Sequence, residues 1–277
     1  MRGTIRDMAR LYTCGNTVVV THGNGPQVGS ELEKNELASR KVPELPLYYL
    51  TAETQSVMGS AIEIALRSAL PARQSKGVCT VLSHTLVNPK DPLFKRPTKP
   101  IGPFMTHAEL KAELALRAFD YYERGGMYRR IVPSPKPIRV LEAEIIKQLS
   151  KSRIVICGGG GGIPLIKKGP KYIGADAVID KDLTTALIAN EIGAEKMVIL
   201  TDSEYLYSDY GHRSGPISHI TLKALKMLAN RLEEGTMKPK VWACINFIEH
   251  GGKEAYIGNV YELGRIMKRL TGTRITR

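Results

Sequence analysis

The sequence predicts an α/β fold in which a mainly parallel central sheet carries helices on both faces. Three observations point there. Thr17-Val-Val-Val-Thr21 reads as a short buried strand, His22-Gly-Asn-Gly-Pro26 turns the chain, and a helix starts at Gln27, the order found in open α/β sheets. Five glycines, Gly158 to Gly162, follow the apolar run Ile154-Val-Ile156 and Cys157, where neither a helix interior nor an ordinary strand tolerates them. After Arg139, strand and helix patterns alternate regularly.

Taken in order, residues 3–14 place Ile5, Met8, Ala9, Leu11 and Tyr12 on one helical face, and Gly15-Asn16 stops that helix. A long apolar helix pattern covers 48–70, with Ala, Gly and Ser positions that permit close packing, and 77–82 reads as a buried strand. From Asn88 to Pro137 the chain is dense in proline and positive charge. Prolines at that density oppose helix and central strand, so this stretch is expected to stand out from the sheet as an insertion with one helix near 107–119. Beyond it the expected elements are helix 140–151, strand 153–157, helix 180–192, strand 196–200, helices 221–233 and 239–250, strand 254–257 and helix 260–269.

A chain of 277 residues forms one large or two medium domains and buries a core without disulfides or metal. Cys14, Cys79, Cys157 and Cys244 are widely spaced, which suits reduced thiols. No apolar run is long enough to span a bilayer and no leader pattern opens the sequence, so a soluble, cytoplasmic protein without a membrane partner is expected. The net charge of +13 favours acidic partners. Its lysines are dispersed, with four Phe and one Trp, which disfavours nucleic acid and leaves small polyanions.

The candidate chemistry is concentrated in glycines, lysines and aspartates. Backbone N–H groups of glycine turns can converge on phosphate, although neither turn is a Walker A loop. Asp180-Lys-Asp182 opens a helix; an N-cap accounts for one aspartate but not for a lysine between two. Leu200-Thr-Asp202 ends a strand where a parallel sheet presents polar groups to ligand. Lys240, in Thr236-Met-Lys-Pro-Lys240, opens another helix against the macrodipole, and Lys99 is held between prolines in the insertion. The six histidines lack metal-site spacing, and no Gly-x-Ser-x-Gly elbow occurs. This set suits phosphoryl transfer, in which the protein positions groups and neutralises charge.

Together, Thr21-His-Gly-Asn-Gly-Pro-Gln-Val-Gly29, Pro97-Thr-Lys-Pro-Ile-Gly-Pro-Phe104, Arg129-Arg-Ile-Val-Pro-Ser-Pro135, Gly158 to Pro164, Ala177-Val-Ile-Asp-Lys-Asp-Leu183, Ile199-Leu-Thr-Asp202, Met237-Lys-Pro-Lys240 and Gly272-Thr-Arg-Ile275 resemble the carbamate kinases of the amino acid kinase family. The resemblance implies an open αβα sandwich. An acceptor-binding lobe would cover 1–152 with a protruding subdomain at about 88–137, and a nucleotide-binding lobe 153–277. It implies reversible transfer between ATP and carbamate, giving ADP and carbamoyl phosphate, with Mg2+ carried by the nucleotide and a homodimeric assembly. Gly23, Asn24 and Gly25 would cradle the phosphoryl group or acceptor, Gly158, Gly159, Gly160 and Gly161 would line the site, and Lys99 would reach in from the insertion. Lys181 and Lys240 would neutralise phosphates and Asp182 would organise the lysines, while Asp202 and Met237 would lie at the nucleotide.

Three departures accompany the resemblance. Carbamate kinases begin with a strand and a Gly-Gly-Asn-Ala turn, whereas this sequence starts inside the following helix, so instability or lost turnover is expected for a chain of this extent. A nucleotide-binding or regulatory role without turnover is the competing reading. The stretch from Tyr48 to Ser56 also lacks an expected aspartate near 48 and glycine at 56, and Ser203-Glu204 replaces an apolar-acidic pair.

Overall fold

The computed structural model describes residues 2–75, 77–209, 214–232 and 237–277. Helix α1 (Arg2–Thr13) ends where Gly15 takes φ +88°, and strand β1 (Val19–Val20) follows. Helices α2 (Gly25–Ala38) and α3 (Leu47–Ala69) come next, then β2 (Val78–Thr80) and β3 (His84–Val87). The insertion contains β4 (Lys99–Pro100), α4 (His107–Leu116), β5 (Asp120–Arg124) and β6 (Met127–Val132). The chain returns through β7 (Pro137–Val140) and α5 (Ala143–Ser150) to β8 (Ile154–Ile156), then to the hairpin of β9 (Ile163–Lys168) and β10 (Lys171–Gly174).

The remaining part runs α6 (Lys181–Ile192), β11 (Lys196–Thr201), β12 (Leu206–Asp209), β13 (Ser214–Ile217), β14 (His219–Thr221) and α7 (Leu222–Ala229). It closes with α8 (Met237–Glu249), β15 (Glu254–Asn259), α9 (Leu263–Met267) and β16 (Thr273–Thr276). Parallel pairing occupies the middle: β8 lies between β1 and β2, β3 pairs with β9, and β11 with β15. Antiparallel pairs add β7 beside β3, β10 beside β9, and β16 between β15 and the parallel β14.

The short strand β8 explains why both faces of the sheet are covered. Side chains alternate along a strand. Ile154 and Ile156 therefore pack with Ala9, Leu66, Leu70 and Val78 on the side of α1 and α3, while Val155 and Cys157 pack with Ile146 and Ile188 on the side of α5 and α6. Each of the four is at most 1 % exposed, so each apolar side chain contributes about 1.5–3 kcal/mol of burial. The layers are helix, sheet, helix. A second core, with Ile199, Val241, Phe247 and Ile257, binds α8 to β11 and β15.

Several sequence expectations change in detail. The strand expected over 17–21 pairs only at Val19 and Val20, and Val19 is half-buried. Helix α2 begins at Gly25, two residues before Gln27, because Pro26 fits the first turn. The helix expected over 221–233 spans Leu222–Ala229; position 233 lies outside the described residues. The insertion also holds more structure than its prolines suggest. Between Pro103 and Pro133 no proline interrupts the chain, and there β5 and β6 form a hairpin, which β4 joins from before Pro103. Gly125 and Gly126, at φ +58° and +75°, make the two-residue turn between β5 and β6, a conformation other residues resist. Arg117 at the end of α4 and Arg130 of β6 both pair with Glu36 of α2, which ties the insertion to the main body.

Candidate active site

Helix α6 is the anchor of the site. Asp180 Oδ1 accepts hydrogen bonds from the amides of Asp182 and Leu183 at 2.9 and 3.4 Å, and Gly193 at φ +72° terminates the helix. At this N-terminus three lysines from separate parts of the chain are brought together. Lys99, from β4 of the insertion, places Nζ 2.6 Å from Asp180 Oδ2. Lys240, from the first turn of α8, places Nζ 2.9 Å from Asp182 Oδ2, with both side chains under 10 % exposed. Lys181 lies between the two aspartates in sequence, and its Nζ would be 3.3 Å from a Cβ built on Gly23.

Charge decides what this arrangement favours. Two carboxylates face three ammonium groups, and Lys181 forms no ion pair among the described residues. It also sits at the positive end of a helix dipole, so an anion there relieves both costs. Burial alone would raise the Asp180 carboxyl, but Lys99 and the two capping amides hold it below its ordinary range. His22, beside the same turn, is held below its ordinary value by burial and by Lys181, against the hydrogen bond of its Nδ1 with the Gly23 carbonyl. Burial thus favours its neutral form. Among the described residues no three of His, Cys, Asp and Glu gather to hold a metal ion.

The glycine run serves close approach. Gly160 has φ +62°, and a Cβ there would lie 2.2 Å from Asn24 Oδ1; Gly161 has φ +91°, and its Cβ would lie 2.4 Å from the Ile179 carbonyl oxygen. The run thereby joins the turn after β1 to the segment entering α6. The expectation of free amides converging on an anion needs correction. The N–H groups of Gly158, Gly160, Gly161 and Gly162 donate to Ser83 Oγ and to the carbonyls of His22, Gly158 and Gly159. A framework of buried polar groups fixes the run: Thr85 and Thr184 hydroxyls both donate to the Gly161 carbonyl, and Gln55 Oε1 accepts from the Ser83 amide.

Of the residues anticipated from sequence, Gly23, Asn24, Lys99, Gly158, Gly159, Gly160, Gly161, Lys181, Asp182 and Lys240 form this connected group, with Gly25 opening α2 beside it. Asp202 does not join it through any contact among the described residues. Exposed just past β11, it accepts from the Thr201 hydroxyl, and its carbonyl accepts from Asn259. Met237 opens α8 but is buried in the second core, and Thr236 lies outside the described residues. Sequence reasoning misses Asp180 as the partner of Lys99, 81 positions away, and the framework of Thr54, Gln55, Ser83, Thr85 and Thr184. Buried polar residues inside apolar helix and strand patterns are the available signal for the framework.

The departures near position 48 also have a structural account. The Tyr48 ring packs on Gly174, where a Cβ would lie 2.5 Å from ring carbons. Asp176, from the loop after β10, accepts from the Leu47 amide and so caps α3 from a distance. Ser203 is buried, its hydroxyl donating to the Tyr205 carbonyl.

Comparison with known proteins identifies the family and agrees with the fold. The family model described as "Amino acid kinase family" matches residues 1–259. A carbamate kinase of Halobacterium salinarum is 40 % identical over 92 % of this chain and 83 % of its own length. One from Haemophilus influenzae is 40 % identical over 100 % of this chain and 88 % of its own. The solved carbamate kinase of Giardia lamblia bound to citric acid superposes with a TM-score of 0.91 at 33 % identity, covering 99 % of this chain and 89 % of its own. The same enzyme bound to AMP-PNP gives a TM-score of 0.88 at 34 % identity over the same shares. The chain therefore belongs to the amino acid kinase family, among its carbamate kinases.

Proposed function

We propose that this chain transfers a phosphoryl group reversibly between ATP and carbamate, giving ADP and carbamoyl phosphate. The observation that supports it best is the convergence of Lys99, Lys181 and Lys240 on the start of α6. In the ATP-forming direction a terminal phosphate oxygen of ADP attacks the phosphorus of carbamoyl phosphate, and the bond to the carbamate oxygen breaks. Carbamate leaves as an anion, so neither direction needs a general base. The work left to the protein is alignment and neutralisation of charge on the transferred group, which three ammonium groups supply.

In this reading Gly23, Asn24 and Gly25 hold the acceptor end within a lobe of residues 1–152, and residues 153–277 hold the nucleotide, with Gly158 to Gly161 between them. Lys99 comes from the insertion and Lys240 from α8, Asp182 sets Lys240, and Asp202 and Met237 lie toward the nucleotide. Mg2+ enters on the nucleotide phosphates, whose hard oxygens suit it. The proposed partner is a second copy of the chain, supported by the exposed apolar side chains Leu37 of α2 and Val57 and Ile64 of α3. A cytoplasmic setting is proposed with it; no described helix is long and apolar enough to cross a membrane.

The test is ADP release from MgATP across a panel of carboxylate acceptors, made on the species whose sedimentation mass is twice that of the chain. Carbamate should exceed acetate and N-acylated amino acids by at least about tenfold in kcat/KM. Preference for another carboxylate would overturn the acceptor assignment, and an active species of monomer mass would overturn the dimer.

A further inference from the structure

We propose that Asp180 is a positioning residue for phosphoryl transfer, its Oδ2 fixing the ammonium of Lys99 at the reacting end of α6; this rests on the function proposed above. Lys99 belongs to the insertion, where among the described residues its strand pairs with β6 alone, Lys99 opposite Val132 and Pro100 opposite Ile131. Ile101 and Val132 pack the base of the insertion against Val28, Leu50 and Val178, which fixes the strand, but the long Lys99 side chain still needs a partner on α6 to fix its ammonium. Asp180 supplies that hold, with the ammonium 2.6 Å from Oδ2.

The two oxygens of Asp180 have separate jobs. Oδ1 caps α6 by accepting from the amides of Asp182 and Leu183, a task that Asn performs about as well. A neutral cap would satisfy the helix without burying a charge. Asp180 is only 9 % exposed, so its carboxylate carries a desolvation cost that capping alone does not require. The charge has its use at Oδ2, on Lys99. Two residues on, Asp182 holds Lys240 in the same manner, so the two aspartates that bracket Lys181 in sequence each hold one further lysine. The α6 N-terminus is itself tied to the glycine run by the Thr184 hydroxyl, which donates to the Gly161 carbonyl. Lys99 is thus referenced to the same rigid frame as the rest of the site.

Asp180→Asn separates the two jobs, because it keeps the cap and removes the charge. We expect kcat to fall about 10- to 100-fold, as for a displaced catalytic group, with KM for MgADP changed by less than about threefold. In a Lys99→Ala background the same substitution should cost less than about twofold further, since its target is gone. A second readout does not need turnover. Competitive acetylation by acetic anhydride, read by mass spectrometry at Lys99, should quicken several-fold in Asp180→Asn, because the Lys99 side chain, released from its 2.6 Å contact with Oδ2, is freer to meet the reagent. Unchanged labelling of Lys99, unchanged kcat, or an equal loss in both backgrounds would each overturn the proposal. A wild-type chain that binds ADP without turnover would overturn the kinase reading instead, and the labelling still decides whether Asp180 holds Lys99.

Discussion

Lys181→Met is expected to lower kcat by about 10²- to 10³-fold while leaving the thermal midpoint unchanged or slightly raised. Most substitutions that abolish activity in a buried site also weaken the fold. This one should not. Lys181 has no carboxylate partner among the described residues and opens α6 at the positive end of its dipole, so its charge destabilises the empty site by about 0.3–1 kcal/mol. Methionine keeps most of the stem and removes that charge. In the proposed mechanism the same ammonium faces the transferred phosphoryl group in the transition state, so its loss is expected to be felt there. Lys240→Met gives the contrast, because it strands the buried Asp182 carboxylate and should cost about 3–5 kcal/mol of stability as well as activity. Steady-state kinetics and thermal unfolding of both variants check this. A Lys181→Met enzyme within about threefold of wild type would remove Lys181 from the mechanism.

Gly161→Ala is expected to weaken the fold through the backbone itself. The added Cβ would lie 2.4 Å from the Ile179 carbonyl oxygen and 2.7 Å from its carbonyl carbon, and backbone cannot move aside as a side-chain tip can. The positive φ adds about 1–2 kcal/mol and the overpacking about 1–3, so about 2–5 kcal/mol in all. That is a large part of the stability of an ordinary domain. Displacement of the Gly161 carbonyl would also release the hydroxyls of Thr85 and Thr184 and tilt the start of α6, so activity should fall with stability. Gly169→Ala is the control, since Gly169 has φ +60° but open space around its Cβ position. Denaturant unfolding compares the two. If Gly161→Ala costs no more than Gly169→Ala, close approach is not what the glycine run provides.

Features of this protein that depend on neighbouring residues are legible in its sequence. Ile154-Val-Ile156 has the apolar continuity of a strand buried on both sides, and α6 is bracketed by an aspartate cap and a terminating glycine. The lysines stand out because each is constrained, Lys99 by prolines, Lys181 by flanking aspartates and Lys240 by the proline beside it. Pairing over distance leaves no such local trace. Asp180 looks like a cap and is one, but its second oxygen serves a lysine 81 positions away. The hairpin of β9 and β10 is hidden because Pro164 lies in it, and proline is tolerated there near the start of the strand. In the insertion, proline density averaged over the whole stretch masks the proline-free hairpin of β5 and β6. The glycine run reads as a source of free amides, whereas most of its N–H groups are used within the protein.

The measurement that tests the central claim most directly is the initial rate of ATP formation from MgADP and carbamoyl phosphate by the purified 277-residue chain. The arrangement of three lysines on one helix start predicts steady turnover that saturates in both substrates and is lost in Lys181→Met. A folded chain that binds ADP but forms no ATP would contradict it, and would leave a nucleotide-binding protein with the frame of a kinase and without its reaction.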